Sequence, residues 1–147
     1  MALIENRKAY HDYEILEKFE AGLELKGFEV KALKGGRGSL VGSRIIIRGG
    51  EAYVVGMNIP PYQAANTPGD YDSQRTRRLL LNKKEIAYLG GKIQEKGLTL
   101  IPLEVYSKGG LLKISFGVCR GLKKYDKREK IKEREEKRKI ERLLKTE

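Results

Sequence analysis

The sequence contains one cysteine and one histidine, and this scarcity excludes several kinds of site. An internal disulfide framework needs two cysteines, whereas Cys119 is alone. A histidine pair for a metal or for an acid–base relay is impossible with His11 alone. The two residues could in principle form a nucleophile–base pair. A lone cysteine without further signature is far more often an ordinary small residue, so we expect no catalytic role for Cys119.

Long apolar segments and clustered carboxylates are also missing. No apolar run approaches the roughly 20 residues of a membrane span, and residues 1–8 contain no apolar segment of signal-peptide length. Acidic residues are scattered among bases, without a D-x-D-type cluster for Mg²⁺. The glycine-rich segment 34–39 lacks the phosphate-loop spacing G-x-x-x-x-G-K-[ST]. We therefore expect a soluble, cytoplasmic, non-enzymatic protein that needs no metal or cofactor.

Positive charge is abundant. The 147 residues suit one domain and carry a net charge of +11. The last 25 residues, 123–147, contain 12 basic and 7 acidic side chains, and the preceding body keeps a net charge of +6. Both parts are thus basic, which favours a nucleic-acid partner over an anionic membrane.

Segment 123–147 has the composition of a helical but weakly anchored tail. Its apolar residues Ile131 and Ile140 are nine positions apart, so no continuous apolar stripe is available for packing on a core. Acid–base pairs at i,i+4, such as Glu135–Lys139, favour a helix by only about 0.2–0.5 kcal/mol each. We predict a tail that is mostly disordered when free and helical on a polyanionic partner. A solvated helical extension without a role is the alternative.

The body shows a series of strand patterns. Residues 13–26 alternate with period two, with exceptions at Leu16 and Glu17, and predict one long half-buried strand that Gly27 ends. Gly49-Gly50 between two β-branched runs predicts a hairpin. Residues 99–106 predict a strand in which Pro102 marks an edge or a bulge. Residues 112–119 alternate again and predict the final strand.

Other segments are loops and one helix. Residues 28–33 are too short to separate a helical turn from a strand, and residues 59–73, which hold three of the four prolines, predict a surface loop. Asn82 and Glu85 form a capping box that begins a helix with Ile86, Leu89 and Ile93 on one face. That helix is expected to stop at Gly97.

Five or so strands with one late helix predict an α+β fold. The expected architecture is a small antiparallel OB-like barrel, or a sandwich, over residues 1–122, followed by the tail 123–147. Basic clusters on this body are the candidate RNA contacts, with ordinary surface charge as the alternative reading. They comprise Arg7, Lys8 and His11, then Lys31, Lys34 and Arg37 around the glycine-rich loop, and Arg75, Arg77 and Arg78 before the helix.

Short blocks along the chain make the sequence resemble the SsrA-binding proteins, also called small protein B. The resemblance begins with Asn-Arg-Lys-Ala-Tyr-His-Asp-Tyr at residues 6–13 and ends with Tyr-Asp-Lys-Arg at residues 125–128. Between them lie residues 19–22, 26–31, 50–51, 59–62, 77–82, 85–86, 97–99, 102–103 and 106. The blocks occur in order over nearly the whole chain, which makes the combination specific.

The resemblance implies an adaptor with an OB-like barrel that binds the tRNA-like domain of tmRNA and takes part in trans-translation on stalled ribosomes. It implies contacts with the decoding centre and the mRNA channel, and an indirect relation to elongation factor Tu through aminoacylated tmRNA. Positions matching Glu20, Leu80 and Asn82 serve RNA binding in that family, and the residues around His11 lie near the RNA. The tail positions implied in ribosome function are Lys123, Lys124, Tyr125, Asp126, Lys127 and Arg128.

The chain departs from the family pattern at Leu122, where a lysine is usual, and in the extra glycines of residues 34–38. From the residues alone, Glu20 is also readable as a solvated side chain, Asn82 as a helix cap and Leu80 as core. A general OB-fold protein for ribosomal RNA or single strands is the alternative function. A small nuclease is disfavoured by the missing metal cluster.

Overall fold

The computed structural model describes residues 2–63, 65, 67–122, 132 and 134–142. Up to residue 122, the described part of the chain forms seven strands and three α-helices. In chain order they are β1 (Ala2–Glu5), α1 (Arg7–Asp12), β2 (Tyr13–Leu23), α2 (Gly27–Lys34), β3 (Arg44–Arg48), β4 (Glu51–Val55), β5 (Arg77–Leu80), α3 (Lys83–Lys92), β6 (Leu98–Lys108) and β7 (Leu111–Gly121).

The strands close into an antiparallel barrel. The sheet order is β1-β6-β3-β4-β5-β2-β7, and the additional pairing of β6 with β7 closes the ring. The long strand β6 bonds to β7 on one side and to both β3 and β1 on the other. The predicted α+β class and OB-like barrel are confirmed, and the sandwich alternative is excluded by the closed ring.

The apolar residues form two cores, and two β-bulges lie in the strands that they share. The register of β2 against β7 shifts between Ile15 and Glu17, and that of β6 against β7 shifts between Pro102 and Glu104. Residues such as Phe116 pack in the main barrel core. Ile15 packs with a small cluster under α1, consisting of Ala9, Tyr10, Tyr13, Ile101, Leu103 and Cys119.

The bulge in β2 corrects the predicted alternation. Tyr13 and Ile15 were expected to share a face with Phe19 and Ala21, but an extra residue in the strand reverses the alternation at that point. Leu16, which broke the pattern in the sequence, is the exposed residue at the shift. Cys119 is fully buried in the small cluster.

The glycine hairpin is confirmed, and the proline in β6 is explained. Gly49 and Gly50 have φ values of 58° and 76°, the left-handed conformations that a two-residue hairpin turn requires. Pro102 adjoins the bulge of β6, so the bulge prediction is confirmed. The alternative prediction, that Pro102 marks an edge strand, is wrong, because β6 has partners on both sides.

The helices differ from the sequence prediction in number and length. Residues 28–33 are helical within α2, and β1, α1 and β5 lie where no element was predicted. Helix α1 begins at Asn6, whose side-chain amide donates to the carbonyls of Leu40 and Pro102 at 3.3 and 2.9 Å. The capping box of α3 is confirmed, but α3 ends at Lys92 and not at Gly97.

The described part of the tail, residues 132 and 134–142, is helical and exposed. The helical preference of the charge pairs is confirmed for these residues, whereas disorder of the free tail stays a prediction. Residues 123–131 lie outside the described part, and so do the tail residues singled out from the sequence. None of the helices described is long and apolar enough to cross a membrane.

Candidate nucleic-acid interface

Cross-strand register brings Glu20 and Leu80 to one outer face of the barrel. Gly22 of β2 pairs with Leu80 of β5 on one side and with Lys113 of β7 on the other. Lys113 in turn faces Tyr106 of β6. We call this face the Glu20 surface; it comprises Glu20, Gly22, Leu80, Tyr106, Lys108, Leu111 and Lys113.

Glu20 is held as an anion within this surface. Its carboxylate accepts hydrogen bonds from the Tyr106 hydroxyl and from Lys108 Nζ, the latter at 3.4 Å. The Tyr106 hydrogen bond lowers the pKa of Glu20, and Lys108 adds to the effect. Burial and the neighbouring carboxylate raise the pKa of Tyr106 to about 12. At neutral pH the carboxylate is therefore charged and oriented, and its free lone pairs can accept hydrogen bonds from RNA.

An apolar groove lies beside this carboxylate. Leu80 and Leu111 are 50% and 63% exposed, and together with Gly22, Leu25 and Val30 they line a groove of about 230 Å³. A Cβ atom at Gly22 would lie 3.3 Å from Leu80 Cδ1, so glycine keeps the groove open. Leu80 is thus a surface residue, which removes the core alternative. Apolar side chains next to the Lys113 ammonium suit a ribose or base with its phosphate.

Asn82 begins α3 two residues after β5 ends. Its Oδ1 accepts from the backbone N–H of Glu85 at 2.8 Å, and Glu85 Oε1 accepts from the backbone N–H of Asn82 at 3.3 Å. The capping role read from the sequence is confirmed. The Asn82 side chain is exposed, so a contact with RNA is sterically open and stays a prediction.

Arg77 is not a surface residue, and its prediction as an RNA contact is corrected. Its side chain is fully buried and donates to the Glu29 carboxylate and to the Met57 carbonyl, both at 2.7 Å. A further bond runs to the Ser73 carbonyl at 3.0 Å. A buried guanidinium requires such partners, because an unpaired charge in the interior is strongly unfavourable. Arg77 therefore fastens the 59–73 loop to the barrel.

Arg75 shares the same carboxylate. Its guanidinium is paired with Glu29, and its side chain is only 26% exposed. Burial raises the pKa of Glu29, but hydrogen bonds from Arg75, the Lys26 backbone N–H and Arg77 outweigh it and hold that pKa at about 2. The Tyr71 hydroxyl also donates to Glu29, at 2.9 Å. Two arginines and one carboxylate leave one net positive charge. Of these three side chains, only that of Arg75 is partly exposed to solvent.

The other predicted basic residues are on the surface but in three places. Arg78 is exposed on β5 and pairs with Glu51 at 3.0 Å and Glu24 at 3.4 Å. Lys31, Lys34 and Arg37 are exposed on α2 and the loop after it. Arg37 donates to the Tyr62 carbonyl at 3.5 Å.

The third group, on α1, lies next to the start of the tail. Arg7 and Lys8 are exposed and His11 is half-buried. The backbone N–H of Leu122 donates to the carbonyl of Asp12 at 2.9 Å, which brings the last body residue to the end of α1. Arg134 of the tail helix donates to the Tyr10 carbonyl at 3.3 Å. The α1 residues are thus associated with the tail and not with the Glu20 surface.

Sequence reasoning missed Lys108, Leu111 and Lys113 of the Glu20 surface. The alternation of 112–119 already places Lys113 on the face opposite to the core residues Leu112 and Ile114. The pairing of β6 with β7, which brings Tyr106 and Lys108 to the same face, joins separate segments and has no local signal.

Comparisons with known proteins identify a family. A family model described as "SmpB protein" matches residues 3–146. The SsrA-binding protein of Azoarcus sp. (strain BH72) is 48% identical over 144 residues, covering 98% of this chain and 97% of the relative. The SsrA-binding protein of Desulfitobacterium hafniense (strain DSM 10664 / DCB-2) is 51% identical over 138 residues, covering 94% and 88%.

A solved structure has the same fold. One chain of the structure described as "tmRNA-SmpB: a journey to the center of the bacterial ribosome" superposes with a TM-score of 0.69 at 42% identity. The match covers 87% of this chain and 93% of that chain.

Proposed function

This chain belongs to the SmpB family, and from that premise we propose that it binds the tRNA-like domain of tmRNA and delivers tmRNA to stalled ribosomes for trans-translation and peptide tagging. The observation that carries the proposal is the Glu20 surface. There the barrel brings an oriented carboxylate, an exposed leucine and two lysines together, although they come from four different strands.

The chemistry of this surface suits a folded RNA. Glu20 accepts hydrogen bonds from a ribose 2′-hydroxyl or an exocyclic amino group, which phosphates cannot supply. Lys108 and Lys113 neutralise the adjacent phosphates, and the groove beside Leu80 receives a ribose or base. A carboxylate repels a bare phosphate backbone, so its presence in a basic protein selects for RNA that presents donors at this point.

The remaining predicted contacts lie either around this surface or on the α1 side. Leu80 and Asn82 lie at its β5 edge, and Arg78 precedes them on the same strand. Lys31, Lys34, Arg37 and the partly exposed Arg75 lie on or near α2 and serve neighbouring phosphates. Arg7, Lys8 and His11 belong to the α1 side, where the tail begins.

We assign the tail side to the ribosome. In this proposal residues 123–128 enter the decoding centre and the following helix occupies the mRNA channel, while elongation factor Tu is met only through the aminoacylated tmRNA. The protein acts in the cytoplasm as an adaptor and performs no chemical reaction of its own.

The test is an equilibrium binding measurement with tmRNA, tRNA and an unrelated RNA hairpin over a range of salt concentrations. We expect affinity for all three to fall as salt rises, because each neutralised phosphate releases counterions. At physiological salt, tmRNA should bind at least about tenfold more tightly than the hairpin, since the specific contacts persist. Equal affinities would favour the general OB-fold alternative.

A matched pair of variants locates the site. Glu20→Gln removes the charge of the oriented carboxylate and should weaken tmRNA binding while leaving hairpin binding unchanged. Glu14→Gln makes the same change at an exposed position of the same strand, near Arg120. Equal effects of the two variants on tmRNA binding would assign the result to net charge and contradict a site at Glu20.

A further inference from the structure

A second outer face of the barrel has the features of a base-stacking site. In β3 the side chains of Ile45 and Ile47 contribute to the core, which turns Ile46 outward. Ile46 pairs across the strands with Tyr53 of β4, and Tyr53 pairs with Arg78 of β5. We call the outward set Arg44, Ile46, Arg48, Tyr53, Val55 and Thr76 the Tyr53 face.

The middle of this face is apolar and concave. Ile46, Tyr53 and Val55 are half-buried, and together with Arg48 and Thr76 they line a depression of about 480 Å³. The phenol ring thus lies in a recess beside two β-branched side chains. Such a surface supports one side of a flat ring, which is how aromatic side chains receive nucleic-acid bases.

The rim of this face carries charge that is not neutralised. Arg44 and Arg48 are exposed at the two ends of β3, and neither has an acidic partner among the described residues. Glu51 lies opposite Arg48 in the register of β3 and β4, but its carboxylate is paired with Arg78 at 3.0 Å. The face therefore keeps two free guanidinium groups on either side of a tyrosine, an arrangement complementary to phosphates that flank a base.

We propose that the Tyr53 face binds an unpaired RNA nucleotide, with its base stacked on Tyr53 and the flanking phosphates on Arg44 and Arg48. The site is distinct from the centre of the Glu20 surface, because Tyr53 lies on β4, two strands from Glu20 on β2 and three from Lys113 on β7; the two faces adjoin at β5, which carries Leu80. The proposal does not rest on the proposed function: it requires an RNA with an unpaired nucleotide, whichever RNA the Glu20 surface holds.

The test uses the full chain and a fluorescein-labelled single strand of six adenosines, followed by fluorescence anisotropy. Tyr53→Leu keeps an apolar side chain but removes the ring, and Tyr53→Phe keeps the ring. We expect Tyr53→Leu to weaken binding by about 5- to 150-fold, the range found when one stacked base loses its platform. Tyr53→Phe should stay within about twofold of the unaltered protein, since stacking does not need the hydroxyl.

The arginines are tested by salt dependence. For single strands, the logarithm of the binding constant falls with the logarithm of the salt concentration with a slope of about −0.7 per phosphate contact. Arg44→Gln combined with Arg48→Gln removes two such contacts and should therefore reduce the magnitude of this slope by about 1.4. Arg120→Gln with Lys96→Gln removes two exposed charges outside both surfaces and should leave the Tyr53→Leu effect intact. Thermal melting of every variant verifies that each protein is folded at the temperature of the binding measurement.

Two results would overturn the proposal. If Tyr53→Leu and Tyr53→Phe bind the oligonucleotide equally, the ring has no role, and the face is left to a protein partner. If the Arg44/Arg48 and Arg120/Lys96 double variants change the salt slope equally, binding is non-specific attraction to a basic protein. Binding of tmRNA to the same variants is measured in parallel, so loss of the Tyr53 site is distinguished from loss of the Glu20 surface.

Discussion

Two neighbours, Tyr106 and Lys108, orient the Glu20 carboxylate. The tyrosine hydroxyl donates to one carboxylate oxygen, while Lys108 approaches the other at 3.4 Å. A surface carboxylate without such support has several rotamers of similar energy, and binding RNA would have to select one of them. Tyr106 is therefore a positioning residue for the RNA contact that we assign to Glu20.

We predict that Tyr106→Phe weakens tmRNA binding by roughly 3- to 10-fold, the range of one lost hydrogen bond to a charged group that is partly replaced by water. The variant keeps the ring packing, so the melting temperature should change little. In a double-mutant cycle with Glu20→Ala, measured by equilibrium binding, Tyr106→Phe should add nothing. Additive losses would mean that Tyr106 contacts the RNA itself.

Unlike Glu20, which we assign to RNA binding, the buried Glu29 carboxylate stabilises the fold. It neutralises Arg77 and joins α2 to β5 and to the loop before it. Its pKa of about 2 in the folded protein lies below the ordinary value of 4.5. A depressed pKa means that the carboxylate stabilises the fold fully above about pH 4.5, and that this stabilisation is lost as the pH falls toward 2.

We predict that Glu29→Gln lowers the free energy of unfolding by about 3–5 kcal/mol, because it leaves the Arg77 charge buried without its counter-ion. Glu24→Gln removes an exposed partner of Arg78 and should have a small effect. Denaturant unfolding at pH 7 measures both variants. Repeated between pH 5 and 2.5, the unaltered protein should lose stability more steeply than Glu29→Gln; parallel curves would contradict the assigned role.

At the scale of elements, α3 contains two glycines that its own structure does not require. Gly90 and Gly91 have ordinary helical backbone, and a Cβ atom at either position would have nothing within 4 Å. Glycine in a helix is less favourable than alanine by about 1 kcal/mol. Gly97, just before β6, has a φ of 82° and is a true turn glycine.

We predict that Gly91→Ala stabilises the protein by about 0.4–1 kcal/mol, chiefly by reducing the freedom of the unfolded chain. Gly97→Ala introduces the same methyl group at a left-handed position and should destabilise by about 1 kcal/mol. Thermal melting of the two variants provides the comparison. Destabilisation by Gly91→Ala would show that the end of α3 needs glycine for a reason outside the described contacts.

The sequence predicted those elements whose signals are local. The hairpin at Gly49-Gly50, the alternation of β7 and the capping box of α3 each depend on a few neighbouring residues. Helix α1 was missed because it is short and its N-cap residue, Asn6, gains its partners from Leu40 and Pro102, far along the chain. Arg77 was misassigned for the same reason: an arginine in a basic segment looks exposed until Glu29 is placed beside it.

At the scale of the whole molecule, closure of the barrel combines segments that no local pattern connects. Strand β6 has three partners, and it contributes Leu100 and Val105 to the main core and Ile101 and Leu103 to the cluster under α1. The same closure separates the functional surfaces. The Glu20 surface and the Tyr53 face lie on different strands, and α1 and the tail form a third region.

This separation implies that the barrel and the tail divide the work. The described tail side chains are exposed, Ile140 among them at 58%, so the tail helix buries little apolar surface. The contact described between it and the body is the bond from Arg134 to Tyr10. A protein that ends at Leu122 keeps both cores and the complete Glu20 surface, and its unfolding free energy should therefore change by less than about 1 kcal/mol.

We predict that this truncated protein binds tmRNA within about threefold of the full chain at physiological salt, because specific contacts on the barrel persist while the +5 charge of the tail is lost. Tagging of peptides on stalled ribosomes should be abolished, because the residues that we assign to the decoding centre and mRNA channel are absent. Both quantities are measured on the same preparation, by equilibrium binding and by tag addition in a purified translation system. Retained tagging would show that the tail is not required for the ribosomal step. A large loss of affinity for tmRNA would instead show that the tail belongs to the primary RNA-binding site and that its partner is tmRNA itself.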